Sequence, residues 1–314
     1  MGTPELPETG KAVRFERYGG IAELFVVDVP VEAPPAGEVL VRVLAAGTNP
    51  GEAAIRKGLL DAIFPTTFPS GEGSDFAGEI VAVGDGVTSF RVGDAVLGWS
   101  NRRNSQAEYV SVPAGQVIPK PKALSWDVAG SLYVVGVTAY AAVRAVKLSP
   151  GDTLVVSAAA GGVGSVVVQM AKAKGATVIG IASESNHDWL REHGVIPVSY
   201  GKGLEARIRQ VAPQGVDAFI DTFGAEYVKL ALDLGVPKAR IDTIIAFEAA
   251  EKTGVKTDGS SVASTPEILA DVAELVANGT VEIPIAARYP LDRVRDAYTK
   301  LEKRHTHGKI VLLP

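Results

Sequence analysis

The chain has 314 residues, and its 31 lysines and arginines against 36 aspartates and glutamates give a formal net charge of −5 at pH 7. Its length exceeds what one hydrophobic core usually fills, and its mild acidity lacks the concentrated positive charge that nucleic-acid or anionic-membrane binding requires. Because the chain contains no cysteine, disulfides, thiolate metal sites and cysteine nucleophiles are excluded.

The chain begins with MGTPELPETG, which lacks the charged start and the apolar core of a secretion signal. No apolar stretch reaches the roughly 18 uncharged residues of a membrane span. We therefore expect a cytoplasmic protein that binds neither nucleic acid nor a membrane.

The first third of the chain is predicted to be rich in β-strands. Turn sequences such as APPAGE, GTNPGE and VGDGV separate short valine-rich runs at residues 12–15, 24–29, 39–45, 79–83 and 95–98. Many short strands close together predict a barrel-like β domain rather than strand–helix–strand units.

Strands and helices alternate after about residue 125. A helical segment from Ser125 to about Val146, interrupted near Val135-Gly136, precedes the strand candidates TLVVSA, TVIGIAS, Val198, VDAFIDTF and ARIDTIIAF. Helical patterns between these candidates predict a parallel sheet covered on both faces. Ser264, three residues before Glu267, predicts a capping box at the start of a further helix. A strand near 283–287, a helix over 292–303 and a strand over 309–312 complete the chain.

A glycine turn links the first two strands of this alternation. Ala158, Gly161 and Gly164 form the spacing A-x-x-G-x-x-G between a strand and a helix, so the first glycine of the usual dinucleotide fingerprint is alanine. Small residues let the backbone approach a pyrophosphate, and the helix start supplies free N–H groups. The backbone predicted to bind a dinucleotide comprises Ala160, Gly161, Gly162, Val163 and Gly164. The alternative is a tight turn that binds no ligand.

The end of the next strand bears on the choice of cofactor. NAD sites place an acid there to hold the ribose 2′-hydroxyl, whereas this strand ends in Ser183. Ser183 and Asn186 are able to donate to a 2′-phosphate, which favours NADP. Glu184 argues the other way, and no lysine or arginine clamp stands nearby in the sequence.

The ordered motifs AAGTNPGE, GSDFAGEIVAVGDGVTSFRVGDAV, GVTAY, AAAGGVGSVVVQMAKAKGA, GVDAFIDTFG and HTHGKIVL extend over nearly the whole chain. Together they resemble the zinc-free branch of the medium-chain dehydrogenase/reductase superfamily, the quinone oxidoreductase or zeta-crystallin type. The resemblance implies an α/β protein with a GroES-like β-barrel catalytic domain over 1–125 and 263–314. A Rossmann doubly wound parallel sheet over 126–262 would lie between these parts, with the cofactor in the cleft. It further implies a homodimer that reduces quinones or activated C=C bonds with NADPH.

Two departures from the family pattern concern the site. Zinc-dependent relatives carry Gly-His-Glu where this chain has Gly73-Ser74-Asp75, and the chain has no cysteine, so we expect no metal. Several quinone reductases carry tyrosines shortly after the loop asparagine, but the segment from Asn49 to Arg56 contains none. The substrate pocket is therefore expected to differ from theirs.

Matched positions and strand ends give the candidate site residues. Asn49 is expected to donate to a carbonyl or ribose, or alternatively to stabilise its own loop. Thr138 is expected beside the nicotinamide, or bonded to its own helix backbone. The remaining candidates are Tyr200, Phe223, Gly224, Ile245 and Phe247 for the cofactor, with core packing as the alternative for Tyr200, and Trp99, Tyr133 and Arg56 for the substrate. The aromatic pair is alternatively core, and Arg56 alternatively faces solvent.

Two other functions stay open at this point. Missing tyrosines fit a dedicated biosynthetic enoyl reductase or cyclase on the same scaffold. The third alternative is a protein that binds NADPH without turnover.

Overall fold

The computed structural model describes residues 6–314, whose contacts divide the chain into two units. The terminal unit contains the residues up to Val134 together with Thr265–Ala277 and Pro284–Pro314. The central unit contains Val135–Ser264 and Asn278–Ile283. The predicted boundaries at residues 125 and 262 stay a prediction.

Strands and helices occupy the following residues. The strands are β1 Thr9–Phe15, β2 Phe25–Pro30, β3 Glu38–Gly47, β4 Ser70–Gly71, β5 Asp75–Val83, β6 Ala95–Trp99, β7 Tyr109–Pro113, β8 Val117–Pro119, β9 Thr153–Val156, β10 Thr177–Ala182, β11 Ile196–Ser199, β12 Ala218–Asp221, β13 Ile241–Thr243, β14 Ile285–Pro290 and β15 Lys309–Leu313. The helices are α1 Pro50–Arg56, α2 Trp126–Ala129, α3 Leu132–Ala145, α4 Gly162–Ala173, α5 His187–Glu192, α6 Leu204–Val211, α7 Ala225–Asp233, α8 Phe247–Thr253, α9 Pro266–Ala277 and α10 Val294–Glu302.

The terminal unit is built from two sheets. A three-stranded sheet has the order β2-β1-β4, and a larger one has the order β14-β15-β3-β5-β6-β8, with β7 also paired to β3. Helix α10 buries Val294, Ala297 and Tyr298 against Phe15 and Leu312, because residues three and four apart share one helix face. The predicted GroES-like β architecture is confirmed.

The central unit contains a five-stranded sheet in the order β11-β10-β9-β12-β13, with every pair parallel. The buried runs LVV and AFID place β9 and β12 in the middle, as expected when helices cover both faces of a sheet. This order reverses direction between β9 and β12, where ligands bind in open α/β sheets. The predicted Rossmann sheet is confirmed.

Two local predictions need correction. The helical segment after Ser125 breaks at Gly130-Ser131 rather than near Val135-Gly136. Glycine is required at the break, since a Cβ at Gly130 would lie 2.4 Å from the Ala45 carbonyl oxygen. Helix α9 is capped by Thr265, whose hydroxyl accepts from the N–H of Ile268 at 3.3 Å. The Ser264 hydroxyl donates instead to the Ser260 carbonyl at 2.6 Å. Within the described residues, no helix is both long and apolar enough to cross a bilayer.

Candidate functional site

A glycine turn joins β9 to α4 in the central unit. Ala158 has a φ of 43°, and its carbonyl accepts from the N–H of Gly161 at 2.8 Å. A Cβ at Gly164 would lie 2.2 Å from the Ala158 oxygen, so glycine permits this close approach of helix and turn. Ala160 is buried, whereas residues 161–163 are partly exposed. Because the first N–H groups of a helix have no intrahelical acceptor, this end offers donors and partial positive charge to an anion.

A buried carboxylate ties together the ends of three parallel strands. Asp221, at the end of β12, accepts from the hydroxyls of Ser157 and Thr243, each at 2.7 Å. It also accepts from the N–H groups of Phe223 at 2.9 Å and Gly224 at 3.1 Å. Burial raises the pKa of Asp221, although these donors oppose that effect. Asp221 thereby fixes the loop that carries two of the predicted cofactor residues.

The end of β10 presents hydroxyl and amide groups. The Ser183 hydroxyl oxygen lies 3.0 Å from that of Ser185 and accepts from the Asn186 side-chain amide at 3.0 Å. Glu184 is exposed, and its carboxylate accepts a long hydrogen bond of 3.5 Å from the Ser199 hydroxyl at the end of β11. Ser183 and Asn186, which are predicted to donate to a 2′-phosphate, are thus neighbours. The carboxylate of Glu184 is directed toward β11.

The loop after β11 is held by a cation that sequence reasoning missed. Arg207 donates to the carbonyl of Ser199 at 2.8 and 3.1 Å and to that of Lys202 at 2.8 Å. Tyr200 in this loop is 50% exposed, so the alternative assignment to the core is wrong. Its role beside a cofactor stays a prediction.

The remaining predicted cofactor residues lie where the sheet order reverses and on α3. Phe223 and Ile245 are partly buried just beyond β12 and β13, and Phe247 is 38% exposed. Thr138 is buried in α3, and its hydroxyl makes no hydrogen bond to another described residue. The alternative in which it bonds to its own helix backbone is therefore wrong.

In the terminal unit, a buried ammonium organises the loop before α1. Lys309 donates to the side-chain oxygen of Asn49 at 2.5 Å, to the Thr48 carbonyl at 2.9 Å and to Asp75 at 3.2 Å. The Asn49 amide nitrogen donates to Glu52 at 2.9 Å and to Asp75 at 3.1 Å. Since a side-chain amide has only two N–H donors, Asn49 has none left for a substrate carbonyl. The expected donor role is contradicted, and the alternative of loop stabilisation fits.

Glu52 is the most extensively hydrogen-bonded carboxylate of this cluster. It accepts from the backbone N–H of Asn49 at 2.9 Å, from that of Ser74 at 2.8 Å and from the Tyr298 hydroxyl at 2.8 Å, besides the Asn49 amide. Burial and the neighbouring Asp75 raise the pKa of Glu52, while its donors lower it. With four donors within 2.9 Å, we assign Glu52 as ionised.

Arg56 is fully buried, so its predicted alternative as a solvent-facing side chain is wrong. Its guanidinium pairs with Glu72, donates to Glu302 at 3.2 Å and stacks on Tyr298. An arginine engaged on both sides has little capacity left for an anionic substrate. Burial raises the pKa of Glu72 to about 8, and burial also raises the pKa of Tyr298.

Trp99 and Tyr133 are both buried and stack, with ring centroids 4.9 Å apart and planes 5° from parallel. This packing fits the core alternative for the aromatic pair. Their contact with a substrate stays a prediction.

The chain has Ser74 where zinc-dependent relatives carry histidine, and the N–H of that serine is engaged by Glu52. Within residues 6–314, no group of three or more histidine, cysteine, aspartate or glutamate side chains is arranged to hold a metal ion.

Sequence reasoning missed Glu52, Lys309 and Asp221. Glu52 follows Asn49 at the capping-box spacing, which was a usable signal. Lys309 begins an apolar strand and Asp221 ends one, and a buried charge at such a place indicates a partner brought from elsewhere in the chain.

Comparisons with known proteins agree with this architecture. The family model "Alcohol dehydrogenase GroES-like domain" matches residues 35–122, and "Zinc-binding dehydrogenase" matches residues 195–312. The human synaptic vesicle membrane protein VAT-1 homolog is 29% identical, over 95% of this chain and 84% of its own. A quinone oxidoreductase of Pseudomonas aeruginosa is 31% identical, over 97% of this chain and 99% of its own. The structure of Escherichia coli quinone oxidoreductase complexed with NADPH has a TM-score of 0.87 and 25% identity, covering 97% of this chain and all of that one.

Proposed function

Because the chain belongs to the quinone oxidoreductase family of the medium-chain dehydrogenases and reductases, we propose an NADPH-dependent hydride transfer to a quinone or α,β-unsaturated carbonyl, without a metal. The single observation that carries this proposal is the glycine turn before α4, at the carboxyl edge of a parallel sheet with Rossmann strand order.

The residues of the central unit fit a dinucleotide. The partly exposed start of α4 would hold the pyrophosphate through the N–H groups of residues 162–164. Ser183 and Asn186 would donate to the 2′-phosphate, and Tyr200 would pack near the adenosine phosphate. Backbone groups of Phe223, Gly224, Ile245 and Phe247 would hold the nicotinamide half. Bound NADPH supplies the hydride from its nicotinamide ring.

Thr138 offers a hydroxyl to the proposed site. Because that hydroxyl makes no hydrogen bond to another described residue, it is available to a carboxamide or to an oxygen that gains charge during reduction. The enolate or phenolate formed from an enone or quinone is stable enough that water suffices as the proton source.

Asn49 acts as a positioning residue in this proposal. Its amide hydrogens donate to Glu52 and Asp75, and its side-chain oxygen accepts from Lys309 at 2.5 Å, so it would fix the loop rather than bond to the substrate. The loop before α1 is thereby rigid, and the chain needs no metal ion to organise it. A cytoplasmic homodimer belongs to the same proposal, and light scattering after size-exclusion chromatography tests the dimer.

The experiment compares steady-state oxidation of NADPH and NADH by small quinones for the parent and for Ser183→Asp. A carboxylate at this place repels a 2′-phosphate, so kcat/KM for NADPH should fall at least about tenfold, which corresponds to about 1.4 kcal/mol. The value for NADH should change far less. Thr177→Asp places the same charge at the exposed start of the same strand and serves as the matched control.

Equal losses with both cofactors, or equal effects of both variants, would contradict the 2′-phosphate assignment. Tight NADPH binding with no quinone or enone oxidation would instead favour the dedicated biosynthetic enzyme or the binding protein.

A further inference from the structure

A cavity lies within the terminal unit, and none of the residues that line it is assigned a role above. Its volume is about 260 Å³, and residues from β1, β2, β3, β7 and the loop before β7 line it. Val29, Val31 and Leu40 form an apolar wall of the cavity, and the Tyr109 ring lies beside Gly10.

The polar lining of this cavity is rich in donors. The Arg14 guanidinium donates only to the carbonyl of its neighbour Val13 at 2.9 Å, and it has no carboxylate partner among the described residues. Burial without such a partner lowers the pKa of Arg14. The side-chain donors of Lys11, Asn104 and Tyr109 likewise have no acceptor among residues 6–314.

The other charges of the lining leave Arg14 uncompensated. Arg102 is neutralised by Glu38, which it contacts with both terminal nitrogens while Ser111 donates to the same carboxylate at 2.8 Å. Glu32 is the one carboxylate among the described lining residues; it is exposed and forms no ion pair there. One half-buried guanidinium therefore faces a partly apolar cavity.

We propose that this cavity binds a small organic monocarboxylate, with the carboxylate on Arg14 and the apolar body against Val29, Val31 and Leu40. A guanidinium matches a carboxylate with two parallel hydrogen bonds. The volume lies below the roughly 300–1,000 Å³ of sites for drug-sized ligands, so an acid with a single ring fits. Inorganic phosphate would leave the apolar wall uncovered, and a neutral alcohol would leave the guanidinium unpaired.

Calorimetric titration with benzoate tests this site, with inorganic phosphate and benzyl alcohol as comparators. Benzoate should saturate one site. Phosphate should bind at least about tenfold more weakly because it leaves the apolar wall uncovered, and benzyl alcohol should bind at least about tenfold more weakly because it leaves the guanidinium unpaired. Arg14→Gln should weaken benzoate binding by a similar factor. Arg42→Gln removes an exposed arginine of the same unit and should leave it unchanged.

Arg14→Lys keeps the charge but loses the planar fork, and it replaces Arg14→Gln if that variant unfolds. It should bind benzoate more weakly than the parent. Absence of saturable benzoate binding, unchanged affinity in both Arg14 variants, or phosphate binding as tight as benzoate would overturn the proposal.

Discussion

Replacing the buried Lys309 by methionine tests whether this ammonium organises the loop before α1. Methionine keeps the length and packing of the side chain. Among the described residues, it leaves the Asp75 carboxylate with the Asn49 amide and the N–H of Val134 as its only donors. Removing one partner of a buried ion pair typically costs about 3–5 kcal/mol, because an uncompensated charge stays behind. At about 2–4 °C per kcal/mol, the midpoint of thermal unfolding should fall by about 6–20 °C.

The assays are thermal and denaturant unfolding followed by circular dichroism, with Lys303→Met as the control for an exposed lysine of the same unit. Asp75→Asn should lower the free energy of unfolding less in the Lys309→Met background than in the parent, since it removes the carboxylate that has lost its cation. The coupling free energy of this cycle should exceed about 0.5 kcal/mol. A loss below 1 kcal/mol for Lys309→Met, with no coupling to Asp75, would refute this account of the cluster.

Three further predictions concern stability. Ala158→Gly should stabilise the chain, by at most about 1.5 kcal/mol, because a left-handed alanine costs about 1–2 kcal/mol and the extra entropy of glycine costs about 0.5–1 kcal/mol. Ala160→Gly in the same turn should destabilise it. Glu72 has its pKa raised from 4.5 to about 8, so the folded state binds a proton that the unfolded state releases. Stability should therefore decline as pH rises from 4.5 to about 8, and Glu72→Gln should flatten that decline in urea titrations at several pH values. Asp221→Ala leaves two hydroxyls and two N–H groups without their acceptor. It should lower the free energy of unfolding by about 2–4 kcal/mol and weaken NADPH binding. The control Asp217→Ala, just before the start of β12, should leave NADPH binding unchanged.

Each prediction has a result that contradicts it. Equal destabilisation by both glycine variants would show that the left-handed φ of Ala158 carries no cost. A pH profile unaffected by Glu72→Gln would place the extra proton on another carboxyl. Unchanged NADPH affinity in Asp221→Ala would separate the strand-end network from the cofactor.

The parallel sheet was predictable because its signals are local. Each strand is a short apolar run, each helix has its own period, and the glycine turn stands between one strand and one helix. The capping error between Ser264 and Thr265 is a shift of one residue among neighbouring hydroxyls that are both able to cap.

The buried polar cluster of the terminal unit, which contains Asn49, Glu52, Asp75 and Lys309 as well as Arg56 and Glu72, was not predictable. Its partners lie far apart in the sequence. Arg56 has the local appearance of an exposed helical arginine, and only Glu72 and Glu302 explain its burial. Asn49 occupies a position that matches the family. Its two amide hydrogens nevertheless donate to Glu52 and Asp75, and Lys309 lies beside this pair of carboxylates. Local patterns indicate that such a charge needs a partner, but they do not identify the distant residue that supplies it.

The central claim is hydride transfer from NADPH, and loss of NADPH absorbance on mixing the protein with a small quinone measures it most directly. The account predicts rapid, enzyme-dependent oxidation with NADPH, slower oxidation with NADH, and no loss of rate after treatment with a metal chelator. Oxidation that proceeds equally with either cofactor, or that stops on chelation, would contradict it.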